Sequence, residues 1–309
     1  MTHIVVLGST NMDLVTYVEK APQRGETVAG RESRTLPGGK GASQAIAAAR
    51  AGAAVSVIGA VGNDAFGTRL RATLELPHSG LRSSGGTPMG VDTDLLRTVE
   101  GPSGTAHLVV DDKGNNSIVV IPGANGTVDH LVPGDDSLIA SADALLLQLE
   151  IPLAAVLAGA RAARANGIRT ILTPAPAQPL PPELLAATDL LVPNEHEATV
   201  LTGRTDPADA ATALLEQVPE VAVTLGSAGS LYAARGAEPL TVPAPQVTAV
   251  DTTGGGDTFV GALSVALTEG RPMRSAPAWP GAAAALSVQR PGASASMPCR
   301  PEIEAQFAS

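Results

Sequence analysis

The segment Asp251-Thr252-Thr253-Gly254-Gly255-Gly256-Asp257-Thr258-Phe259 carries residue types suited to chemistry at an anion. Phe259, Ala262, Leu263, Ala266 and Leu267 follow it at helical spacing, which predicts a helix starting near Gly256. The first turn of a helix has unpaired amides and the positive end of the dipole, and together these attract a phosphate. Gly254, Gly255 and Gly256 would leave those amides uncovered, and Asp257 would sit beside them. A carboxylate there can take the proton of an attacking hydroxyl while the amides neutralise charge on a transferred phosphoryl group. Such transfer needs mainly positioning and electrostatics, so a weakly basic Asp suffices. The plainer reading is a glycine-rich loop whose Asp only starts the helix.

A second constellation lies near the N-terminus. Asn11-Met12-Asp13 comes just past the first strand-like run, and Pro37-Gly38-Gly39-Lys40-Gly41-Ala42-Ser43-Gln44 opens a helix. An Asp at a strand's carboxyl end can accept hydrogen bonds from two sugar hydroxyls. Taken singly, Asp13 is equally a turn cap and Lys40 a solvated charge. Asn194 followed by Glu197 ahead of an apolar helical run is a capping-box pattern.

These segments need a scaffold. Strand-like runs occur at 4–7, 54–59, 144–148, 169–172, 190–192 and 221–225, and helical patterns at 39–51, 64–74, 152–165, 194–201 and 207–217. Their alternation predicts an α/β fold: a mostly parallel central sheet with helices on both faces. Ligands bind such sheets beyond the carboxyl ends of the strands. Two regions break the alternation, 14–17 with 27–35 and 107–110 with 117–121. They predict a small β-sheet lid contributed by about 14–35 and 104–121, within a single domain spanning 1–309. The Pro, Gly and Ser-rich stretch 77–90 reads as an inserted loop.

Composition narrows the partners. A net charge of −10 argues against nucleic acid and anionic membranes, which require a basic footprint. Aromatic residues are only 2% of the chain, so a sugar site must work by hydrogen bonds, not ring stacking. The single Cys299 fits a reducing, cytoplasmic setting, and no apolar stretch approaches the roughly 20 residues of a membrane span. The five histidines are too scattered for a zinc site. Competing motifs fail: a Walker loop would need Gly where Arg34 stands, no Gly-x-Gly-x-x-Gly is in place, and Gly41-Ala42-Ser43-Gln44 continues to Ala45, so it is no nucleophile elbow.

GGKGASQA, PNEHEA and DTTGGGDTF, with LGSTNMD, GETV, LLLQLEIPL, TPAPA, TLGSAG and RPGASASMP in the same order, resemble the ribokinase (PfkB-type) family of sugar kinases over nearly the whole chain. The resemblance implies a three-layer fold with a β-sheet lid and in-line transfer from ATP to a primary sugar hydroxyl. It implies Asp257 as base and Gly254, Gly255 and Gly256 as anion hole. Asn11, Asp13, Gly39, Lys40, Ser43 and Glu150 would hold the sugar. Asn194, Thr224, Gly226, Ser227, Gly229 and Gly256 would serve the nucleotide, with Glu197 placing magnesium through water. Asp251 and Thr253, with Val288, Pro291, Ala293 and Ser296, would hold a potassium ion. A homodimer through the lid sheets is implied as well.

Four positions depart from the family pattern: Ser43 in place of a usual Asn, Thr173 before PAPA, Val260 after DTF, and Gly281 where a larger residue on the adenine side is common. These touch the sugar and base pockets, not the phosphate chemistry. GETV and GGKG favour ribose, while Ser43 leaves open a kinase for another sugar or a nucleoside. A catalytically silent sugar- or nucleotide-binding regulator is the rival of another class.

Overall fold

A computed structural model of the chain describes residues 2–77, 90–113, 115–271 and 278–307. Thirteen strands are found among them: β1 His3–Leu7, β2 Asn11–Val18, β3 Gly30–Gly38, β4 Ala54–Gly62, β5 Leu96–Val99, β6 Gly104–Val110, β7 Asn116–Ile121, β8 Ala144–Leu147, β9 Arg169–Leu172, β10 Leu190–Leu191, β11 Glu220–Thr224, β12 Ser230–Ala234 and β13 Leu240–Val242. Nine form one sheet in the order β13-β12-β11-β10-β9-β8-β1-β4-β5. Pairing is parallel from β11 through β5 and antiparallel at β11-β12 and β12-β13.

The helices are α1 Lys40–Ala51, α2 Ala65–Glu75, α3 Asp135–Ala140, α4 Leu153–Ala165, α5 Pro182–Ala186, α6 Glu195–Thr202, α7 Pro207–Leu214, α8 Gly255–Thr268, α9 Ala278–Ser287 and α10 Arg300–Phe307. Side chains alternate across a strand, and the central β1 shows how this divides the core. Ile4 and Val6 pack with α1, α2, α8, α9 and α10, whereas Val5 and Leu7 pack with α3 to α7. All four are fully buried. Each contributes about 1.5–3 kcal/mol relative to exposure, which fixes the strand whose end leads into the site.

The remaining strands form a second sheet, ordered β3-β2-β6-β7, with β2 and β6 parallel and the outer pairs antiparallel. The two irregular regions thus do build one small sheet. It starts earlier than expected, at Asn11, with only Gly8, Ser9 and Thr10 separating it from the end of β1 at Leu7. Asp13 therefore lies inside β2, not at the end of the first strand, paired in register with Leu36 and Ala106. The segment 27–29 stays outside the strands. The expected insertion at 77–90 lies outside the described residues apart from Pro77 and Gly90. No helix among the described residues is long and apolar enough to cross a membrane.

Close packing of α1 on α8 matters most for the site. A side chain at Gly261 would come within 2.5 Å of Ala47 Cβ and 2.8 Å of the Gln44 carbonyl oxygen. Only glycine admits that approach, and it brings the first turns of the two helices together.

Candidate active site

The amide-rich turn begins α8 one residue earlier than expected, at Gly255, with Gly254 as its N-cap. Gly254 has φ 75°, a left-handed conformation that glycine adopts without steric cost. Its missing side chain faces Ala293, whose Cα would be 3.2 Å from an added Cβ. The loop before α10 is thereby pressed against the turn. Gly255 N donates to Thr252 O and Thr258 N to Gly254 O, at 3.2 and 2.8 Å. The amides between them, of Gly256 and Asp257, have no backbone acceptor among the described residues.

Gly256, which Asp257 follows, borders a cavity of about 260 Å³ at the carboxyl end of β11. Its wall includes Thr224, Gly226, Ser227 and Gly229 from one side and Thr252, Gly255, Gly256 and Phe259 from the other. The rest is mostly apolar, from Val242 to Ala249 and from Ala284, Ala285 and Val288. Gly281 is part of that wall, and a side chain there would meet nothing within 4 Å, so the position widens the cavity. Every residue assigned to the nucleotide loop around TLGSAG thus shares one hollow with Gly256. Asn194 lies beside it, bridged to Thr224.

On the other side of Asp257 a polar cluster gathers from four distant segments. Glu150 follows β8, and its Oε2 accepts from Ser9 Oγ at 2.5 Å, Lys40 N at 3.0 Å and Asn11 Nδ2 at 3.4 Å. Asn125, buried beneath, donates to Asn11 Oδ1 at 2.7 Å and to Thr10 O, and accepts from Thr10 N. Asn11 is thereby turned so that its Nδ2 faces Glu150. Gly38, Gly39 and Lys40 run past Asp13. Ser43 is buried on α1 and lines a small cavity of about 10 Å³ with Thr10, Pro37 and Leu70.

Electrostatics ties these groups together. Burial, then the Glu150 and Asp257 carboxylates, push Asp13 up from 3.8 to about 7, against the pull of Lys40. Lys40 is held above the ordinary lysine range, chiefly by Asp257 and also by Glu150, Glu197 and Asp13, despite its burial. Burial likewise raises Asp257, opposed by Lys40 and by a hydrogen bond from Gln44. Gln44 Nε2 donates to Asp257 Oδ1 at 3.0 Å. Asp257 is therefore not folded back on its own helix: it stands between the sugar-side cluster expected from the sequence and the amides bordering the cavity.

Asn194 and Glu197 realise the capping box: Glu197 N donates to Asn194 Oδ1 at 2.8 Å and Asn194 N to Glu197 Oε2 at 2.9 Å. Glu197 Oε1 accepts from Asn194 Nδ2 at 2.9 Å, so both of its oxygens are engaged. Burial raises Glu197 above the usual carboxylate range, against the Asn194 backbone and Lys40.

The residues expected around a monovalent cation also converge. Asp251 Oδ1 accepts from Thr253 N at 2.9 Å and Oδ2 from Gly292 N at 2.8 Å. Burial pushes this carboxyl up, but those hydrogen bonds bring it below its ordinary value. Val288 O accepts from Val250 N and Asp251 N, and Ala293 O accepts twice from Ser296. The accepting atoms of Asp251, Val288 and Ala293 are all oxygens, the kind a hard cation takes. The loop from Pro291 to Ser296 closes the group against Gly254.

Sequence reasoning singled out neither Ser9, Asn125 nor Gln148, and it met Gln44 only as part of a motif. Gln148 had a signal: it is a polar residue in the otherwise apolar run Leu145-Leu146-Leu147-Gln148-Leu149.

Known proteins resemble this chain along nearly its whole length. A family model described as pfkB family carbohydrate kinase matches residues 1–300. The ribokinase of Bacillus subtilis is 40% identical over 309 residues, covering 98% of this chain and 99% of that protein. That of Schizosaccharomyces pombe is 38% identical over 328 residues, covering 99% and 98%. The structure of Arabidopsis thaliana ribokinase complexed with ribose and ATP superposes with a TM-score of 0.89 at 34% identity, covering all of both chains. With the family model and these relatives matching along nearly the whole length of the chain, it belongs to the pfkB family of carbohydrate kinases.

Proposed function

We propose that this chain transfers the γ-phosphoryl group of ATP to the 5-hydroxyl of ribose, giving ribose 5-phosphate and ADP. The observation that carries the reading is the position of Asp257, with Asp13, Lys40 and Glu150 on one side and the first-turn amides of α8 and their cavity on the other. Full-length likeness to ribokinases, one of them solved with ribose and ATP, supports the choice of substrates.

In this reading the sugar lies against Asp13, Asn11, Gly39, Lys40, Ser43 and Glu150. Asp13 and Glu150 Oε1, which has no hydrogen-bond partner among the described residues, accept from its hydroxyls, and the glycine backbone allows close approach. The nucleotide lies in the cavity, its base against apolar wall and its phosphates over Gly226, Ser227, Gly229 and Gly256, near Asn194. The reacting hydroxyl gives its proton to Asp257 as its oxygen bonds to the γ-phosphorus, and the bond to the β-phosphate oxygen breaks. Of the expected anion hole, the Gly255 amide is already given to Thr252 O, so the amides of Gly256 and Asp257 neutralise charge on the phosphoryl oxygens, and Lys40 adds a positive charge nearby.

Magnesium arrives with ATP. Among the described residues no cluster of three or more His, Cys, Asp or Glu side chains could hold a metal ion. Glu197, with both oxygens held by Asn194, suits contact through water. When bound, the ion would neutralise charge on the phosphates, with Glu197 holding it through water. A potassium ion is assigned to Asp251 and Thr253, with Val288, Pro291, Ala293 and Ser296 completing the oxygen set. It would stiffen the loop beneath Gly254. A cytoplasmic setting belongs to this reading.

The deciding experiment is ADP release with ribose, deoxyribose, fructose and adenosine, each with potassium, with sodium, or with neither. Ribose with potassium is expected to turn over fastest. Preference for another acceptor would reassign the sugar, an ion-indifferent rate would remove the potassium site, and silence with all four would favour the regulator.

The small sheet is assigned as a lid and as the dimer contact. Every residue of its edge strand β7 is exposed, including Ile118, Val119, Val120 and Ile121, at 42–63% exposure. An apolar edge of that kind invites pairing unless it is covered, and a second lid would cover it. Light scattering is expected to give the mass of two chains, and Val119→Lys the mass of one. A wild type that stays monomeric at micromolar concentration would remove the dimer.

A further inference from the structure

We infer that Gln44, keyed by Gln148, is a positioning residue that holds the Asp257 carboxylate by one oxygen and leaves the other free for the reacting hydroxyl. This rests on the reading of Asp257 as the base.

Gln44 and Gln148 are both fully buried, side by side on α1 and at the end of β8. An ionised Asp257 can only accept hydrogen bonds, so the amide end of Gln44 must face it. Gln44 Nε2 donates to Asp257 Oδ1 at 3.0 Å and to Thr173 Oγ1 at 3.2 Å. That choice leaves the Gln44 carbonyl pointing the other way, where Gln148 Nε2 donates to it at 2.7 Å. Turning Gln44 over would set an oxygen against the carboxylate and two NH₂ groups against each other. Polarity thus runs in one direction from Gln148 through Gln44 to Asp257. Asp257 Oδ2 has no hydrogen-bond partner among the described residues.

The choice of amides has a reason. Asp257 is faced by Lys40 on α1 and Glu150 after β8, and it acts in turn on Asp13 on β2 and Glu197 on α6. A titratable residue at 44 or 148 would join that charge balance. A glutamine supplies a donor that never titrates, and it supports the charged form of Asp257 against its burial.

The test compares Gln44→Met, Gln44→Glu and Gln148→Met with wild type in kcat, sugar KM, ATP binding and the pH profile of kcat. Gln44→Met removes a hydrogen bond to a charged group, so kcat is expected to fall roughly tenfold or more while KM and ATP binding barely move. Losing the donor favours protonated Asp257, so the acid limb of kcat moves to higher pH. Gln44→Glu, which adds a like charge, moves it further. Gln148→Met gives a smaller change in the same direction, because Gln44 is then free to turn. If these variants only lost active protein, with the pH profile of the surviving activity unmoved, the positioning role would be wrong. Wild-type turnover in the same assay reports separately on the kinase reading, and an inactive wild type would remove both.

Discussion

Asp257→Asn is expected to lower kcat by about 10²–10⁴-fold, the range of a positioned general base, with little change in sugar KM. Asparagine matches the carboxylate in shape, and its Oδ1 can still accept from Gln44, so the packing of α1 on α8 should persist. What it cannot do is take up the hydroxyl proton. Activity should not vanish entirely, since the first-turn amides and the alignment of the two substrates remain. The measurement is ADP release at saturating ATP and ribose, with calorimetric sugar binding to show that the variant is folded. Near-full turnover would take the base role from Asp257.

Asp13→Asn should separate stability from binding. The folded protein holds Asp13 at about 7 instead of 3.8, so burying its charge costs stability. The sign follows from linkage: the protonated form is favoured in the folded state, so the penalty is absent below the ordinary value. It grows as pH rises and is complete above about 7. At about 1.4 kcal/mol per pK unit the penalty reaches roughly 2–4 kcal/mol at pH 8 and about half that or less at pH 5. Asparagine carries no charge to bury, so Asp13→Asn is expected to melt several degrees higher than wild type at pH 8, with a smaller gain at pH 5. The same variant loses a charged acceptor worth about 1.5–3 kcal/mol per hydroxyl, which weakens sugar binding at least tenfold. Wild-type sugar affinity should itself fall as pH drops below about 7. Equal stability of variant and wild type at both pH values would show that Asp13 carries no such penalty.

The cost at Asp13 explains how the site is built. Three carboxylates and one lysine share the side assigned to the sugar: Glu150 makes Asp13 and Asp257 harder to ionise, and Asp257 does the same to Asp13. Lys40 and, at Asp257, the Gln44 donor oppose that tendency without removing it. A sugar offers hydroxyl donors to all of these acceptors. Binding it therefore relieves a strain that the ligand-free protein carries, in keeping with function set against stability.

Chain-local features were legible in the amino-acid order. The short unbroken apolar run Ile4-Val5-Val6-Leu7, closed by Gly8-Ser9, marks a strand, and the apolar spacing after Gly256 shows where a helix starts. Three glycines ahead of Asp257 mark a turn with uncovered amides, because first-turn amides belong to any helix and need no distant partner. Asn194 and Glu197 declare a capping box for the same reason. Weak local signals were missed: β12 and β13 are short antiparallel strands, and α9 follows the Pro-rich stretch ending at Pro277. Which residues meet was decided only by tertiary packing. Ser9, Lys40 and Glu150 are more than thirty residues apart in sequence, and Gln44 reaches Asp257 across 213. No periodicity encodes such contacts. They arise because Gly261 lets α1 lie against α8, and because β8 pairs with β1, carrying Gln148 and Glu150 to the end of the strand that Ser9 follows. The sequence by itself thus determined the chemistry available, and the fold alone decided which oxygen of Asp257 is held and which is free.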